Sequence, residues 1–300
     1  MDKKGLAVFL AVTFGLGVLF LSGGQALGLI VHESPTLFNS LVLLVVMWVP
    51  AVGALAASVV SPDSGHAVPR VLPLPPGPVL RLAVLVPLVF ALSYALTWAL
   101  GLASPQWHLS ALLSQLDLST VQLPPAALAA LPQLLLASGL VLSVALGCTF
   151  FAAALLGLEL GWRGYLLPRL MPLGRIPAHL VTGLLWGLWF LPLTIGRLNY
   201  LETFDSLPVT LLCGGATALA LNAFLNEVAL RRRHLGLSAL ALGLFVSQQE
   251  GIWWYLFPSA ELPLSGDRGL LLAALFAVAA VFAGPLLGAD RKKGPDTPAA

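Results

Sequence analysis

The feature that most constrains this chain is a series of unbroken apolar runs, several of them twenty residues or longer. A helix of about 20 residues, rising 1.5 Å per residue, covers the roughly 30 Å hydrocarbon core of a bilayer. The strands of an outer-membrane barrel would instead alternate apolar and polar residues. Of the 300 residues, 58% are hydrophobic and only 9% are charged, which excludes a water-soluble enzyme or nucleic-acid-binding protein. The sequence therefore predicts an all-α, polytopic membrane protein.

Eight segments are long enough to cross the bilayer, and we expect them to form one bundle within a single transmembrane domain, 1–289. They lie near residues 5–31, 36–62, 79–102, 132–161, 177–197, 207–230, 235–257 and 268–289. The first is expected to be retained, because its apolar stretch is too long for a signal peptide. Eight crossings place 13 of the 15 Lys and Arg residues on the side of the two termini, leaving only Arg197 and Arg268 opposite. The positive-inside rule then predicts cytoplasmic termini in a plasma (inner) membrane.

The polar segments between and after these runs have distinct compositions. Residues 63–78 contain five prolines and are interpreted as a cytoplasmic linker with little regular structure. Residues 103–131 lack Lys and Arg, and leucines from Leu109 to Leu118 predict a short interfacial helix outside the membrane. The tail, 290–300, is predicted to be disordered in the cytoplasm. Cys148 and Cys213 lie inside apolar runs and are interpreted as small buried hydrophobes.

Three carboxylates fall inside the apolar runs, where an ionisable group is costly and is a functional hypothesis by default. Glu159 precedes Arg163 by four residues, which places both side chains on one helical face. Two interpretations stay open: a buried ion pair that pins the helix end, or a catalytic carboxylate oriented by a guanidinium. Glu227 precedes Arg231 at the same spacing and is explained by a pair at the cytoplasmic interface.

The third carboxylate, Glu250, ends a run of four polar residues that begins at Ser247 and includes Gln248. Tryptophans follow directly, so a polar patch near the outer interface with an aromatic belt explains the pattern, and a functional site is the alternative. No zinc-type spacing of His and Cys, no phosphate-binding glycine loop and no G-x-S-x-G sequence occurs. We therefore expect no metal, cofactor, nucleotide or nucleic acid.

The segment 158–170, L-E-L-G-W-R-G-Y-L-L-P-R-L, resembles the first motif of the CPBP family, which includes the type II CAAX prenyl proteases and bacteriocin-processing intramembrane proteases. That motif is E-E-x-x-x-R, commonly continued as G-Y-L-L-P-R-L. Residues 186–192 resemble the second motif, F-x-x-x-H followed by Leu-Pro, and the seventh segment lies where the family carries H-x-x-x-N. The resemblance spans a motif region of about 132–257 and is clearest over 150–195.

The resemblance implies a mechanism of peptide hydrolysis inside the membrane. In such proteins the first Glu and the first His activate a water molecule, and the second His and the Asn stabilise the oxyanion. The second Glu and the Arg support this arrangement. Glu159 and Arg163 match those two supporting positions.

This sequence departs from the family pattern at the positions that carry the chemistry. Leu158 occupies the position of the first Glu, Phe190 that of the first His and, in one register, Leu244 that of the second His. That register places Gln248 at the Asn, whereas a register two residues later places Val246 and Glu250 at the last two positions. Neither register supplies a histidine, and leucine or phenylalanine cannot accept a proton from water.

The leading hypothesis is a catalytically degenerate family member that binds a peptide, a lipid-modified protein tail or a partner membrane protein, together with membrane lipid. Its expected groove is formed by Trp162, Trp186, Phe190, Gln248 and Glu250. The first alternative is an active endopeptidase with a rebuilt site, in which Glu159 is the base and Glu250 or Gln248 its partner. The second is a small-molecule transporter. The Leu-, Ala-, Gly- and Pro-rich composition is interpreted as bacterial.

Overall fold

A computed structural model describes residues 2–28, 44–62, 70–116, 124–195, 206–261 and 263–287. These residues are predominantly helical and contain no strand, apart from an isolated bridge between Arg70 and His234. The predicted all-α class is confirmed. The predicted tail, residues 63–69 of the proline-rich linker and Leu118 lie outside the described residues, and a helix begins at Pro76 within the predicted linker.

The longer helices form the frame that holds the motif region. In chain order they are α1 (Lys3–Ala26), α2 (Val49–Val60), α3 (Pro76–Ala99), α4 (Pro125–Leu146), α5 (Arg175–Ile195), α6 (Leu207–Arg232), α7 (Leu235–Gln249) and α8 (Leu270–Val281). Single helical turns occur at Ser110–Leu113 and Trp253–Leu256, and a short helix at Ala283–Leu287. Residues 147–173, called the motif segment, join α4 to α5 through α-helical turns interrupted by wider π-helical turns at Gly147–Phe151 and Leu160–Leu166.

Four described helices are long and apolar enough to cross a membrane: Lys3–Gly24, Pro76–Ala99, Pro125–Ala154 and Leu207–Arg232. Two shorter apolar helices, Leu44–Val60 and Leu270–Val281, accompany them. This supports a membrane protein, whereas the eight crossings stay a prediction. The 15 residues of α7 rise only about 22 Å, less than the hydrocarbon thickness.

Several predicted boundaries move when the structure is compared with the sequence. The third and fourth segments start at Pro76 and Pro125, earlier than predicted, because proline is well tolerated in the first helical turn, where its missing N–H needs no partner. The seventh ends at Gln249 instead of 257. The interfacial helix predicted around Leu109 is a single turn, and Leu109 itself is buried.

Helix α7 lies at the centre of the fold. All of its residues except Val246 and Gln249 are buried, since it packs against α3, α4, α6 and the motif segment. Helix α7 approaches the motif segment closely at Gly243, where a Cβ atom would lie 2.4 Å from the carbonyl oxygen of Gly147. Helix α2 covers another side of the motif segment, where a Cβ on Gly161 would lie 2.4 Å from the Pro50 ring. These glycine contacts hold the motif segment between α2 and α7.

Candidate functional site

The ion pair predicted from the spacing of Glu159 and Arg163 is present at the centre of the motif segment. Arg163 Nη1 donates to Glu159 Oε1 at 2.9 Å, and both side chains are 0% exposed. Arg163 lies in the π-helical turn Leu160–Leu166, a geometry that is often found at functional sites. The pair is therefore fully enclosed by protein and needs protein partners for its remaining polar atoms.

Three helices supply those partners. From α6, Asn226 Oδ1 accepts from Arg163 Nε at 3.1 Å and Asn222 Oδ1 accepts from Arg163 Nη2 at 2.9 Å. From α7, the Ser238 hydroxyl donates to Glu159 Oε2. From α5, the Trp186 ring lies 5.1 Å from the Arg163 guanidinium carbon, a cation–π contact. Each carboxylate oxygen of Glu159 is thus engaged by the protein.

A second set of hydrogen bonds orients the two asparagines. Thr182 Oγ1 accepts from Asn222 Nδ2 at 3.1 Å and from Asn226 Nδ2 at 2.9 Å, and donates to the Ala178 carbonyl oxygen. Asn222 Nδ2 also donates to the His179 carbonyl oxygen at 3.0 Å. Because the guanidinium fixes both amide oxygens, the amide nitrogens can point only toward α5.

This orientation determines the tautomer of His179. Its Nδ1 lies 3.1 Å from Asn226 Nδ2, which carries only donor hydrogens, so Nδ1 must accept. The ring proton then resides on Nε2, 2.8 Å from Glu227 Oε1. His179 is therefore neutral in this arrangement and connects the buried ion pair to Glu227.

At the end of the network, the Glu227 carboxylate binds the side chains of Arg175, His179 and Arg231. Arg231 Nε donates to Glu227 Oε2 at 2.7 Å, which confirms the predicted pair, and Arg175 Nε donates to Oε1 at 2.7 Å. The hydrogen bonds to Glu227 raise the pKa of Arg175. The Arg175 side chain is 48% exposed, whereas that of Glu227 is 7% exposed. The network thus runs from a buried ion pair to the protein surface.

Sequence reasoning missed five members of this network: His179, Thr182, Asn222, Asn226 and Ser238. A signal was available for four of them, since 179 and 182 are three residues apart and 222 and 226 are four apart. Such spacings place polar side chains on one helical face within otherwise apolar helices. Ser238 carried no such signal, because a single serine in an apolar helix can hydrogen-bond to its own backbone.

The five residues predicted to line a groove separate into two places. Trp162 is fully buried, edge-on to Phe9 and at 6.4 Å between ring centroids from Trp189. Phe190 meets the Trp186 ring edge-on at 5.2 Å, so Trp162, Trp186 and Phe190 belong to one aromatic cluster beside Arg163.

The other two, Gln248 and Glu250, lie at the opposite end of α7. Gln248 is buried and accepts from Trp253 Nε1 at 2.9 Å, whereas Glu250 is exposed just beyond the helix. Ser238, which contacts Glu159, is ten residues earlier, a rise of about 15 Å. Neither Gln248 nor Glu250 contacts Glu159, because the length of α7 separates them, and the groove stays a prediction.

The positions that would carry the family's chemistry are apolar and enclosed. Leu158 is 1% exposed, Leu244 is buried next to Gly147 of the motif segment, and the partly buried Phe190 contacts Trp186 and Trp189. Among the described residues, no group of three or more His, Cys, Asp or Glu side chains could hold a metal ion. The site has the buried polar core of a helical membrane protein, in which each oxygen of the Glu159 carboxylate accepts a hydrogen bond and the side chain is 0% exposed.

Comparison with known proteins agrees with a helical membrane protein. Residues 140–254 match the family model described as type II CAAX prenyl endopeptidase Rce1-like. The matched region contains the motif segment, α5, α6 and α7, and thus the whole network around Arg163. The match supports the resemblance of segment 158–170 to the CPBP family and agrees with a membrane CAAX protease-like protein. No curated protein and no solved structure matches the chain.

Proposed function

We propose that this protein is a catalytically degenerate CAAX protease-like membrane protein that binds a peptide or a lipid-modified protein tail without cleaving it. One observation carries the proposal: both carboxylate oxygens of Glu159 are occupied, by Arg163 and by Ser238, in a fully buried site. A general base must hold its water within hydrogen-bond reach and have a suitable pKa, and the Glu159 side chain is 0% exposed. Glu159 instead acts as a structural partner of the guanidinium.

The enclosing side chains support the same conclusion. Leu158, Phe190 and Leu244 stand where the resemblance implies a base, a water-positioning imidazole and an oxyanion donor. One general acid–base group contributes about 10²–10⁴ in rate, and groups that act as a unit are lost together. Binding relies on other contacts, such as apolar surface, and survives these replacements.

We also propose that the chain crosses the plasma membrane of a bacterium eight times with both termini in the cytoplasm. The support is the distribution of basic residues, including Arg175 and Arg231, which meet at Glu227. Reporter fusions after Ala300 and within 103–131 test this topology. A reporter after Ala300 that is active only outside the cell contradicts it.

The functional test uses the purified full chain in nanodiscs with farnesylated and unmodified peptides of one sequence. We expect saturable binding of the lipid-modified peptide by fluorescence anisotropy and no cleavage product by mass spectrometry. Substituting Leu158→Glu, Phe190→His and Leu244→His together is the gain-of-function variant, and each single substitution is its control. Trace cleavage is expected only in the triple variant.

Cleavage by the unaltered protein, abolished by Glu159→Gln in a variant that stays folded by circular dichroism, contradicts the proposal. That outcome would make the protein an active endopeptidase with Glu159 as its base. Absence of binding to either peptide would contradict the proposed ligand class and would favour a partner membrane protein.

A further inference from the structure

A crevice separates the first half of α3 from the short helix Ala283–Leu287. Its volume is about 340 Å³, at the small end of the range of ligand sites. Its lining consists of Leu80, Arg81, Val84, Leu85, Leu88 and Leu286. The crevice is therefore apolar except for a single guanidinium.

The apolar wall of the crevice is a stripe along α3. Leu80, Val84 and Leu88 follow one another at four-residue spacing, and their side chains are 67%, 58% and 47% exposed. The stripe is about 12 Å long, from the rise of eight helical residues. Because α3 is one of the helices long and apolar enough to cross a membrane, this exposed stripe is suited to contact lipid hydrocarbon.

Arg81 lies at one end of the stripe, in the second turn of α3. Its Nη1 donates to the Leu287 carbonyl oxygen at 2.6 Å, at the end of the short helix. Among the described residues no carboxylate pairs with it, and four of its five N–H donors stay available. The guanidinium is thus anchored at the mouth of the crevice and retains its positive charge and most of its donors.

A second guanidinium lies against the same short helix. A Cβ atom on Gly284 would be 2.7 Å from Arg231 Nη1, so Arg231 reaches that helix from α6. Glu227 neutralises part of this charge by accepting from Arg231 Nε. Among the described residues that line the crevice, Arg81 is the cationic one, and Arg231 adds to the positive potential behind it.

We propose that this crevice binds one anionic phospholipid, with its phosphate at Arg81 and an acyl chain along the α3 stripe. The arrangement matches the charge of an anionic phospholipid and the sequence of its polar and apolar parts. The cation lies near the end of α3, where a headgroup would lie, and the apolar stripe runs from it toward the membrane interior, where acyl chains lie. An exposed apolar face on α4 lacks such a cation. On α4, Val141 and Leu142 are 70% and 56% exposed, and the twelve residues before them contain no Lys or Arg.

Native mass spectrometry of the purified full chain tests the proposal with phosphatidylglycerol and phosphatidylcholine of identical acyl chains. We expect one phosphatidylglycerol to be retained about fivefold better than phosphatidylcholine, as one cation near an anionic headgroup contributes. Arg81→Gln should remove that preference, and Arg81→Lys should keep most of it. Arg70→Gln is the matched control, because it removes an exposed arginine that does not line the crevice and should leave the preference unchanged.

A second variant, Val84→Trp, tests the apolar wall at an exposed position where folding does not depend on the side chain. It should reduce retention of both lipids, whereas Val141→Trp on α4 should not. Equal retention of the two lipids by the unaltered protein overturns the proposal. So does a loss of preference in Arg70→Gln as large as in Arg81→Gln, or unchanged retention in Val84→Trp.

Discussion

Removing Arg163 alone should destabilise this protein more than removing Arg163 and Glu159 together. The Arg163→Leu variant leaves the Glu159 carboxylate buried with only Ser238 as a partner. It also leaves the side-chain oxygens of Asn222 and Asn226 without the donors that they have in the native protein. Adding Glu159→Leu removes the unpaired carboxylate, while Ser238 keeps a second acceptor in the Leu225 carbonyl oxygen.

The magnitude follows from these contacts. Breaking a buried ion pair by removing one partner costs about 3–5 kcal/mol, and each unsatisfied buried acceptor costs about 1–3 kcal/mol. Arg163→Leu carries both costs, whereas the double variant carries mainly that of the two asparagine oxygens. The double variant should therefore be more stable than Arg163→Leu by about 3–5 kcal/mol, which corresponds to a melting temperature on the order of 10 °C higher.

Thermal unfolding in one detergent, followed by circular dichroism, gives the melting temperatures of the unaltered protein, the two single variants and the double variant. Glu159→Leu combined with Arg81→Leu is the control, because Arg81 contacts neither member of the pair, and its effects should add within about 0.5 kcal/mol. A double variant that melts below Arg163→Leu would refute the reasoning, since it would mean that no unpaired charge is relieved.

The remaining predictions use the same assay. Gly243→Ala should destabilise the protein by about 1–3 kcal/mol, because its Cβ would contact the backbone of the motif segment. Gly214→Ala, whose Cβ would have nothing within 4 Å, should be neutral or stabilising by up to about 1 kcal/mol. Equal effects of the two substitutions would contradict the close approach of α7 to the motif segment. Asn226→Leu should reduce the stability by about 1.5–3 kcal/mol, because it removes the acceptor of a charged donor. His179→Leu, which removes no direct partner of Arg163, should reduce it by about 1 kcal/mol. A larger loss in His179→Leu than in Asn226→Leu would contradict this ranking. Arg175→Gln should cost less than about 1 kcal/mol, because this arginine is half exposed and Glu227 keeps Arg231; a larger loss would place Arg175 in the core.

The sequence by itself determined the class of this protein and the pair at its centre. Long apolar runs leave no alternative to a helical membrane protein, since hydrocarbon cannot satisfy exposed backbone groups. The spacing of Glu159 and Arg163 was enough to predict their contact, because neighbours four residues apart meet on any helix. The family resemblance was readable for the same local reason, since its first motif is one continuous run of residues.

Only the tertiary structure decided which distant residues complete the site. Asn222, Asn226 and Ser238 reach the pair from helices 59 to 79 residues away in the chain, as their contacts with Arg163 and Glu159 show. Helical periodicity assigns a residue to a face of its own helix but does not state which helix that face meets. The same limit applies to the alternative that pairs Glu159 with Gln248 or Glu250, which the length of α7 separates. Packing between helices, and not spacing along them, sets which buried polar groups can satisfy one another.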